Sequence, residues 1–447
     1  MYNLTNKKIG IWGYGITGKS AIQNLINQDI QLAVLDKKEL NATDKTFLDA
    51  HQIIFYTQEN LPSFLEHCDY ILPSPGVDLR EYTQYKSKWL NELDLFNAAW
   101  HKPIIAITGS IGKTTVTHLL GLLLEKAGKR VATGGNIGIP MLDLLAQQDD
   151  HDTALLEVSS FQLEYTKSFA PSLAIWTNFY PNHLDRHGSE QEYKDAKAKL
   201  MVFQTAAQQS LTSFELKDAI QTQSTVHYFL TRTPTVCELD TISLESSLYF
   251  LDETNVCVYS GGKTNVLIAR SELPPISFEA NWLILCAAFD LLKVTMPRVA
   301  TSDVSLPEHR LEHVANINGI DFYNDSKSTT PQSTMAAVNR LCNRPILLLL
   351  GGLGKGVDRG PLIKELQGKV DTIYCFGKEA DHLKALCDNS GIPSEVHANL
   401  ETAFSASVND AQAGDQLLLS PAGSSYDLYN NYMERGTHFK KLVSSLK

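Results

Sequence analysis

The 447-residue chain is poor in the features that mark secreted, membrane-spanning or nucleic-acid-binding proteins. Its seven cysteines, Cys68, Cys237, Cys257, Cys286, Cys342, Cys375 and Cys387, are scattered and form no CxxC pair. An odd, dispersed set suits reduced thiols in a cytoplasmic compartment better than a disulfide framework, and most of them should be small core residues. No apolar run approaches the ~18 residues needed to span a bilayer. Residues 1–8 hold no apolar stretch of the signal-peptide kind. Positive charge is also in deficit: 39 Lys and Arg against 50 Asp and Glu leave a net charge of −11. That balance argues against general nucleic-acid binding, which leaves a basic footprint, but permits a local basic cleft for phosphate. Low-complexity tracts, long linkers and short-period repeats are missing. The remainder is ordinary, with 43% apolar and 20% charged residues in a chain long enough for two or three domains. The expectation is a cytoplasmic, monomeric protein that engages neither membrane nor nucleic acid.

What is present begins at Pro103–Thr117, PIIAITGSIGKTTVT. The apolar run Ile104–Ile107 reads as a buried strand. Val116, Leu119, Leu120 and Leu123 then follow at helical spacing. Between them lie Gly109, Ser110, Ile111, Gly112, Lys113, Thr114 and Thr115. A strand, a glycine loop, Lys-Thr and a helix N-terminus together suit a nucleotide triphosphate. Glycines let backbone N–H groups approach phosphate, Lys113 can reach the terminal phosphates, and the Thr114 hydroxyl is placed to ligate Mg²⁺. Ile107 stands where the full P-loop pattern has its first glycine, so this is a shortened form, GxxGKT.

Three α/β units are predicted, at 1–98, 99–300 and 301–447. In the first, the strand Ile9–Trp12 leads into Gly13, Gly15 and Gly18, a helix over 19–27, and a strand Ile30–Leu35 ending at Asp36. That is a GxGxxG loop with an acid at the next strand end; alone it suggests NAD, and other phosphate-bearing ligands use the same helix end. Further strands are predicted at Gln52–Tyr56 and Asp69–Leu72, the latter running into Ser74. In the second unit, strands at Val131–Gly135, Ala154–Leu156 and Leu173–Trp176 run into Asn136, Glu157 and the loop holding His183. Residues 226–267 read as a small antiparallel appendage, and a helix returns over Phe278–Leu292. In the third, strands at Ile320–Tyr323, Ile346–Leu350, Thr372–Phe376 and Gln416–Leu419 precede a closing helix, Leu428–Leu446.

Glu157 at a strand end beside the nucleotide loop can supply oxygen to Mg²⁺. His183 and His187, four apart, could be read as zinc ligands. They lack the helix and general-base Glu of a metalloprotease site and a clear third ligand, so a place for His183 beside Mg²⁺ is preferred. Lys197, among Lys194 and Lys199, reads on spacing alone as part of a solvated helix face. Asp325, Lys327, Lys355 and Ser425 fall on three strand-end loops that would share one rim of a parallel sheet, suited to a carboxylate-bearing substrate.

The strings GYGITGKS, SPGV, AITGSIGKTTVT, GGNIG, LEVSSFQLE, NHLDRH, YKDAK, HRLE, NDSKST, GGLGKG and SPAGSSYD occur in this order over the whole chain. Together they resemble the Mur ligases, ATP-dependent amide-forming enzymes of peptidoglycan precursor synthesis, and within them the branch that adds D-glutamate to UDP-N-acetylmuramoyl-L-alanine. The resemblance implies a Rossmann-like N-terminal domain, a central P-loop mononucleotide-binding domain and a C-terminal Rossmann-like domain, all α/β. It implies that Gly15, Ile16, Thr17, Asp36, Ser74 and Asn136 meet the UDP-sugar, which displaces the NAD reading. ATP and its metal would fall to the nucleotide loop with Asn281, Arg310 and Asp325. Two Mg²⁺ sites are implied, with Thr114, Glu157, His183 and a carbamylated Lys197 around them. Lys327, Thr329, Lys355, Ser425 and Tyr432 match the D-glutamate pocket. The chain departs from the pattern at Ile111, Asn182, Ala280 and Ile284, at Lys38, where an arginine is usual, and at Tyr432, where phenylalanine is. The base that deprotonates the incoming amine is not identified, His183 being one candidate.

Overall fold

In the computed structural model, residues 4–274, 279–298 and 307–446 are described. The expected 300/301 boundary and Phe278 lie outside them. The first sheet holds β1 (Lys7–Trp12), β2 (Ile30–Leu35), β3 (Ile54–Tyr56) and β4 (Tyr70–Pro73), all parallel in the order 3-2-1-4. The loop after β1 opens into a helix, Ile16–Leu25, one turn earlier than the sequence predicts. The second sheet has nine strands: β5 (Ile104–Thr108), β6 (Val131–Gly135), β7 (Thr153–Glu157), β8 (Leu173–Trp176), β9 (Gln209–Ser213), β10 (Thr225–Leu230), β11 (Ser247–Leu251), β12 (Asn255–Ser260) and β13 (Lys263–Ala269). Their order is 13-12-11-10-9-8-5-7-6.

The antiparallel appendage is a misreading. β10 pairs in parallel with both β9 and β11 and continues the main sheet; only β12 and β13 are antiparallel, at its edge. Short strands with apolar side chains on both faces look alike in either setting, and the pairing partner is not written in the local pattern. The third sheet holds β14 (Glu312–Ile317), β15 (Ile320–Asn324), β16 (Ile346–Gly351), β17 (Thr372–Phe376), β18 (Ser394–His397) and β19 (Gln416–Leu419), in the order 14-15-19-16-17-18. The last helix starts at Tyr432 rather than Leu428, capped by the Asn431 side chain. No described helix is long and apolar enough to cross a membrane.

β5 and β16 read as unbroken apolar runs because helices cover both faces of a parallel sheet, and every residue of both is buried. One apolar core runs continuously from Ile9 and Val34 in the first sheet through Leu93 and Phe96 to Ala106, Leu156 and Trp176 in the second. The third sheet keeps two cores of its own. The first two units are therefore joined by packing, and the third meets them through loops.

Parallel strands present their carboxyl ends, and the loops after them, along one rim. Close approach at that rim dictates Gly18: a Cβ there would sit 2.0 Å from the Gly13 carbonyl oxygen. Gly18→Ala is expected to cost roughly 1–3 kcal/mol, since backbone must move to admit the methyl group. A thermal melt at wild-type temperature would contradict this.

Candidate functional site

A cleft of about 1190 Å³ runs where the three sheets meet. Gly15, Ile16, Thr17, Asp36 and Ser74 line it from the first unit, Thr114 and Asn136 from the second, Lys327 and Tyr432 from the third. The loop after β1 is braced by Asp36, whose carboxylate accepts from the Tyr14 N–H at 2.6 Å, and by Ser74, whose hydroxyl donates to the Gly13 carbonyl at 3.1 Å. Lys38 lines the same end, its N–H donating to Asp36.

The nucleotide loop turns into the helix Lys113–Lys126 at Gly112, whose φ of +81° is the left-handed conformation that favours glycine. Its shape is set from β8: the Asn178 side chain accepts from the Ile111 N–H and donates to the Ile111 carbonyl, both at 3.0 Å. The Thr177 hydroxyl donates to that carbonyl too. Ser110 exchanges hydrogen bonds with Tyr180. The Ile111 side chain is buried, so the departure at that position packs inward. Thr115 is buried in the first turn.

Lys113 and Lys197 converge on one atom: each Nζ donates to the Gly109 carbonyl oxygen at 2.8 Å. Lys197 is 1% exposed, which overturns the solvated-face reading. The helix Glu190–Val202 turns that face towards β5 and the nucleotide loop, and charged neighbours in sequence gave no sign of it. Burial lowers the pKa of Lys113, partly offset by Glu157, while Arg310 adds to the lowering. Burial pushes Lys197 well below the ordinary lysine value, and the Lys113 charge adds to that.

Glu157, at the end of β7, is 2% exposed. One carboxylate oxygen accepts from the Asn136 side chain at 2.9 Å; the other is buried and bonds nothing. An orphaned buried carboxylate oxygen beside two ammonium groups fits a position for a hard cation with phosphate. His183 sits in the left-handed region, φ +56°, and is packed edge-on against Phe161. Burial, then the charges of Lys355, Lys197 and Lys113, hold its pKa well below 6.5. The ring is therefore neutral, the form that accepts a metal ion or a proton. Asn182 accepts from the His183 N–H. His187 is committed elsewhere: it bonds the Ser160 hydroxyl at 2.9 Å and stacks on Phe161. Among the described residues no group of three or more His, Cys, Asp or Glu gathers as a transition-metal site would require.

Asn281 lies over the nucleotide loop: a Cβ on Gly112 would be 3.1 Å from its Oδ1, and its buried Nδ2 has no partner. Ile284, three residues on, packs in the apolar core, and Ala280 lies on the same helix. Arg310 reaches Ser328 at 3.1 Å and lies 4.0 Å from Asp325. Asp325 is buried, accepting from the Ser420 hydroxyl and the Leu311 N–H.

The third unit brings its lysines to the same place. Burial lowers Lys327 to about 8, with Glu157 opposing and Arg310 and Lys113 assisting. Its Nζ lies 5.2 Å from the centre of the Tyr432 ring. Lys355, at φ +55°, reaches the Thr329 hydroxyl at 3.4 Å and is also lowered to about 8 by burial. Ser425 is buried at the end of the 420–425 loop, which is zipped to the 351–354 loop by Leu353–Ser424 backbone bonds. Arg435, overlooked in the sequence, locks this rim: its buried guanidinium donates to the Ser326 and Gly423 carbonyls. Its position on the buried face of the last helix, in line with Gly436, Phe439 and Val443, was the available signal. Gln162 and Glu92, also in the cleft wall, went unassigned; the Ser-x-x-Gln capping box after β7 was the only hint of the first.

Comparison with known proteins follows the same three parts. A MurD N-terminal domain profile matches residues 8–81, a Mur ligase middle domain 107–247, and a Mur ligase glutamate ligase domain 309–423. The UDP-N-acetylmuramoylalanine–D-glutamate ligase of Alkaliphilus metalliredigens is 32% identical, covering 99% of each chain. That of Desulfotalea psychrophila is 32% identical over 98% of this chain and 96% of its own. Among solved structures, a MurF ligase of Thermotoga maritima in complex with ADP superposes with a TM-score of 0.58 at 13% identity, covering both chains fully, a likeness of fold. Similarity of this degree over the full length places the chain in the Mur ligase family.

Proposed function

We propose that the protein joins the amine of D-glutamate to the alanine carboxyl of UDP-N-acetylmuramoyl-L-alanine, using ATP, in cytoplasmic synthesis of the peptidoglycan precursor. The supporting observation is the single cleft to which three sheets each bring one kind of group: a glycine loop with Asp36, a nucleotide loop with Glu157, and a rim of lysines. Residues 1–98, 99–300 and 301–447 are taken as the sugar-nucleotide, ATP and amino-acid domains of a monomer.

A free carboxylate is a poor electrophile. Its oxygen would attack the terminal phosphorus of ATP, forming a C–O–P bond and releasing ADP. Lys113 would balance charge on the transferring phosphoryl group, with Gly109, Ser110, Gly112, Thr114 and Thr115 supplying the loop. Thr114, Glu157 and His183 would hold Mg²⁺, which supplies Lewis-acid neutralisation of phosphate charge. Lys197, its pKa lowered by burial, is suited to take up CO₂ through its deprotonated form: an N–C bond forms as a C=O π bond of CO₂ opens, a proton leaves to solvent, and the resulting carbamate anion could serve a second Mg²⁺. Asn281, Arg310 and Asp325 would meet the nucleotide from the seam. Lys327 and Lys355, with Thr329, Ser425 and Tyr432, would hold the carboxylates of D-glutamate. Its amine then attacks the acyl carbon, and phosphate departs and can carry off the amine proton. The Gly356 loop approaches the Asp185 loop, and closure of the third unit there would exclude water from the acyl phosphate.

Phosphate release in the presence of ATP, Mg²⁺ and UDP-N-acetylmuramoyl-L-alanine tests the assignment with a panel of amino acids. D-glutamate is expected to stimulate it, and L-alanine, L-glutamate and diamino acids are not; stimulation by another amino acid alone would reject the reading. Lys113→Ala should lower turnover by at least about 100-fold while preserving the circular-dichroism spectrum, as expected for removal of a preorganised charge at the transferring group. ADP release near the wild-type rate would rule out its role.

A further inference from the structure

The cleft wall between the first two sheets carries an acid that the reaction above leaves unused. Glu92 opens the helix Glu92–Ala99 and is 6% exposed. It lines both the main cleft and a small cavity behind it, as do Ser74 and Gln162. Its Oε1 accepts from Gln162 Nε2 at 2.7 Å. Gln162 is held on its other atoms. Its Oε1 accepts from the Ser159 N–H and hydroxyl, both at 2.9 Å, and its backbone carbonyl accepts from Asn91 Nδ2 at 2.7 Å. With the amide oxygen taken by two donors, the amide nitrogen has to face Glu92. Ser159 lies two residues beyond Glu157, so this chain of contacts joins the cleft wall to the turn that carries the orphaned carboxylate oxygen.

The cleft runs from the glycine loop and Ser74 at one end to Thr114 and Lys327 at the other. A UDP-sugar carrying alanine has its negative charge on the two sides of the sugar, in the diphosphate and in the reacting carboxylate, with the uncharged sugar between them. We propose that Glu92 is a positioning residue for the sugar-nucleotide substrate, fixing through Gln162 the wall on which the uncharged middle of that substrate rests. The proposal depends on the assignment of this cleft to the sugar nucleotide.

The charge state of Glu92 follows from its surroundings. Burial pushes its carboxyl up to about 7; the Gln162 hydrogen bond works the other way but is the smaller effect. The positive helix end on which it sits also opposes burial. Asp94 on the same helix is engaged with Thr166, Lys167 and Ser168. Across the small cavity stand Tyr165, whose phenol burial keeps protonated, and Arg186, which pairs with Glu164 and Asp78. Along the main cleft stand Asp78, Glu81, Tyr82 and, from the third sheet, Lys327. None of them offsets the burial of Glu92. Protonated, Glu92 tolerates an anionic ligand; ionised, it repels one, so binding of the sugar nucleotide weakens as pH rises through 7.

The test is the KM of the full-length protein for UDP-N-acetylmuramoyl-L-alanine at about pH 6 and about pH 8, a window that brackets the titration. The wild-type KM should rise about fivefold across that window, a slope that Glu92→Gln, uncharged at both pH values, should lack. Glu92→Ala, equally flat in pH, should raise this KM about tenfold over wild type at pH 6 and about twofold at pH 8, with the KM for ATP within about twofold of wild type, since the wall loses its anchor and the nucleotide loop does not. Asp36→Ala at the far end of the cleft is the control. If it leaves the KM for the sugar nucleotide unchanged, the cleft assignment itself fails. If it raises that KM, a flat wild-type profile, a wild-type slope in Glu92→Gln, or an unchanged KM in Glu92→Ala each overturns the role of Glu92.

Discussion

The arrangement depends on an imbalance of buried charge. Two lysine side chains donate to one carbonyl oxygen, at Gly109, and the carboxylate beside them has an oxygen that bonds nothing. Burying amines without enough counter-charge depresses their pKa values, and both lysines are depressed. Arg310, Lys327 and Lys355 add further positive charge to the same place. In a chain whose net charge is −11, such a concentration is suited to anions that arrive from outside, and phosphates with their metal ion are the anions this geometry accommodates.

The rest of the fold serves to bring those groups together. Parallel sheets place loops at one rim, and the loops after β1, β2, β4, β5, β6, β7, β8, β15, β16 and β19 carry most of the residues discussed. The first two sheets share one continuous apolar core, so their part of the cleft is fixed by packing. The third sheet has separate cores and touches the second through loops, with Gly356 against Asp185 and Lys355 near His183. Polar loop contacts part more easily than a packed core, and this division suits an enzyme that must admit three substrates and then exclude water.

Much of this was legible in the sequence because it rests on local signals. Apolar runs ending in glycine or small polar residues gave the parallel strands and their loops, and the Gly112–Lys113–Thr114 string needs only its own strand and helix to be read. What depends on distant contacts was not legible. Lys197 looks solvated among its neighbours and is buried because its helix turns that face to the nucleotide loop. β10 and β11 read as an antiparallel appendage because pairing direction is set by non-local partners. Glu92 and Arg435 are charged residues on buried faces, and their roles follow from carbonyls and amides far away in the chain. The resemblance carried by the ordered motifs supplied roles, such as that of Lys197, that spacing alone did not suggest.

The central claim is that the unpaired Glu157 oxygen among these cations marks a place for a metal ion with nucleotide. Electron paramagnetic resonance of Mn²⁺ titrated into the protein with ATP measures this directly, counting bound against free metal. The account predicts saturable Mn²⁺ binding that needs nucleotide and is lost in Glu157→Gln with the fold retained. Mn²⁺ binding of wild-type stoichiometry and affinity in that variant would contradict it.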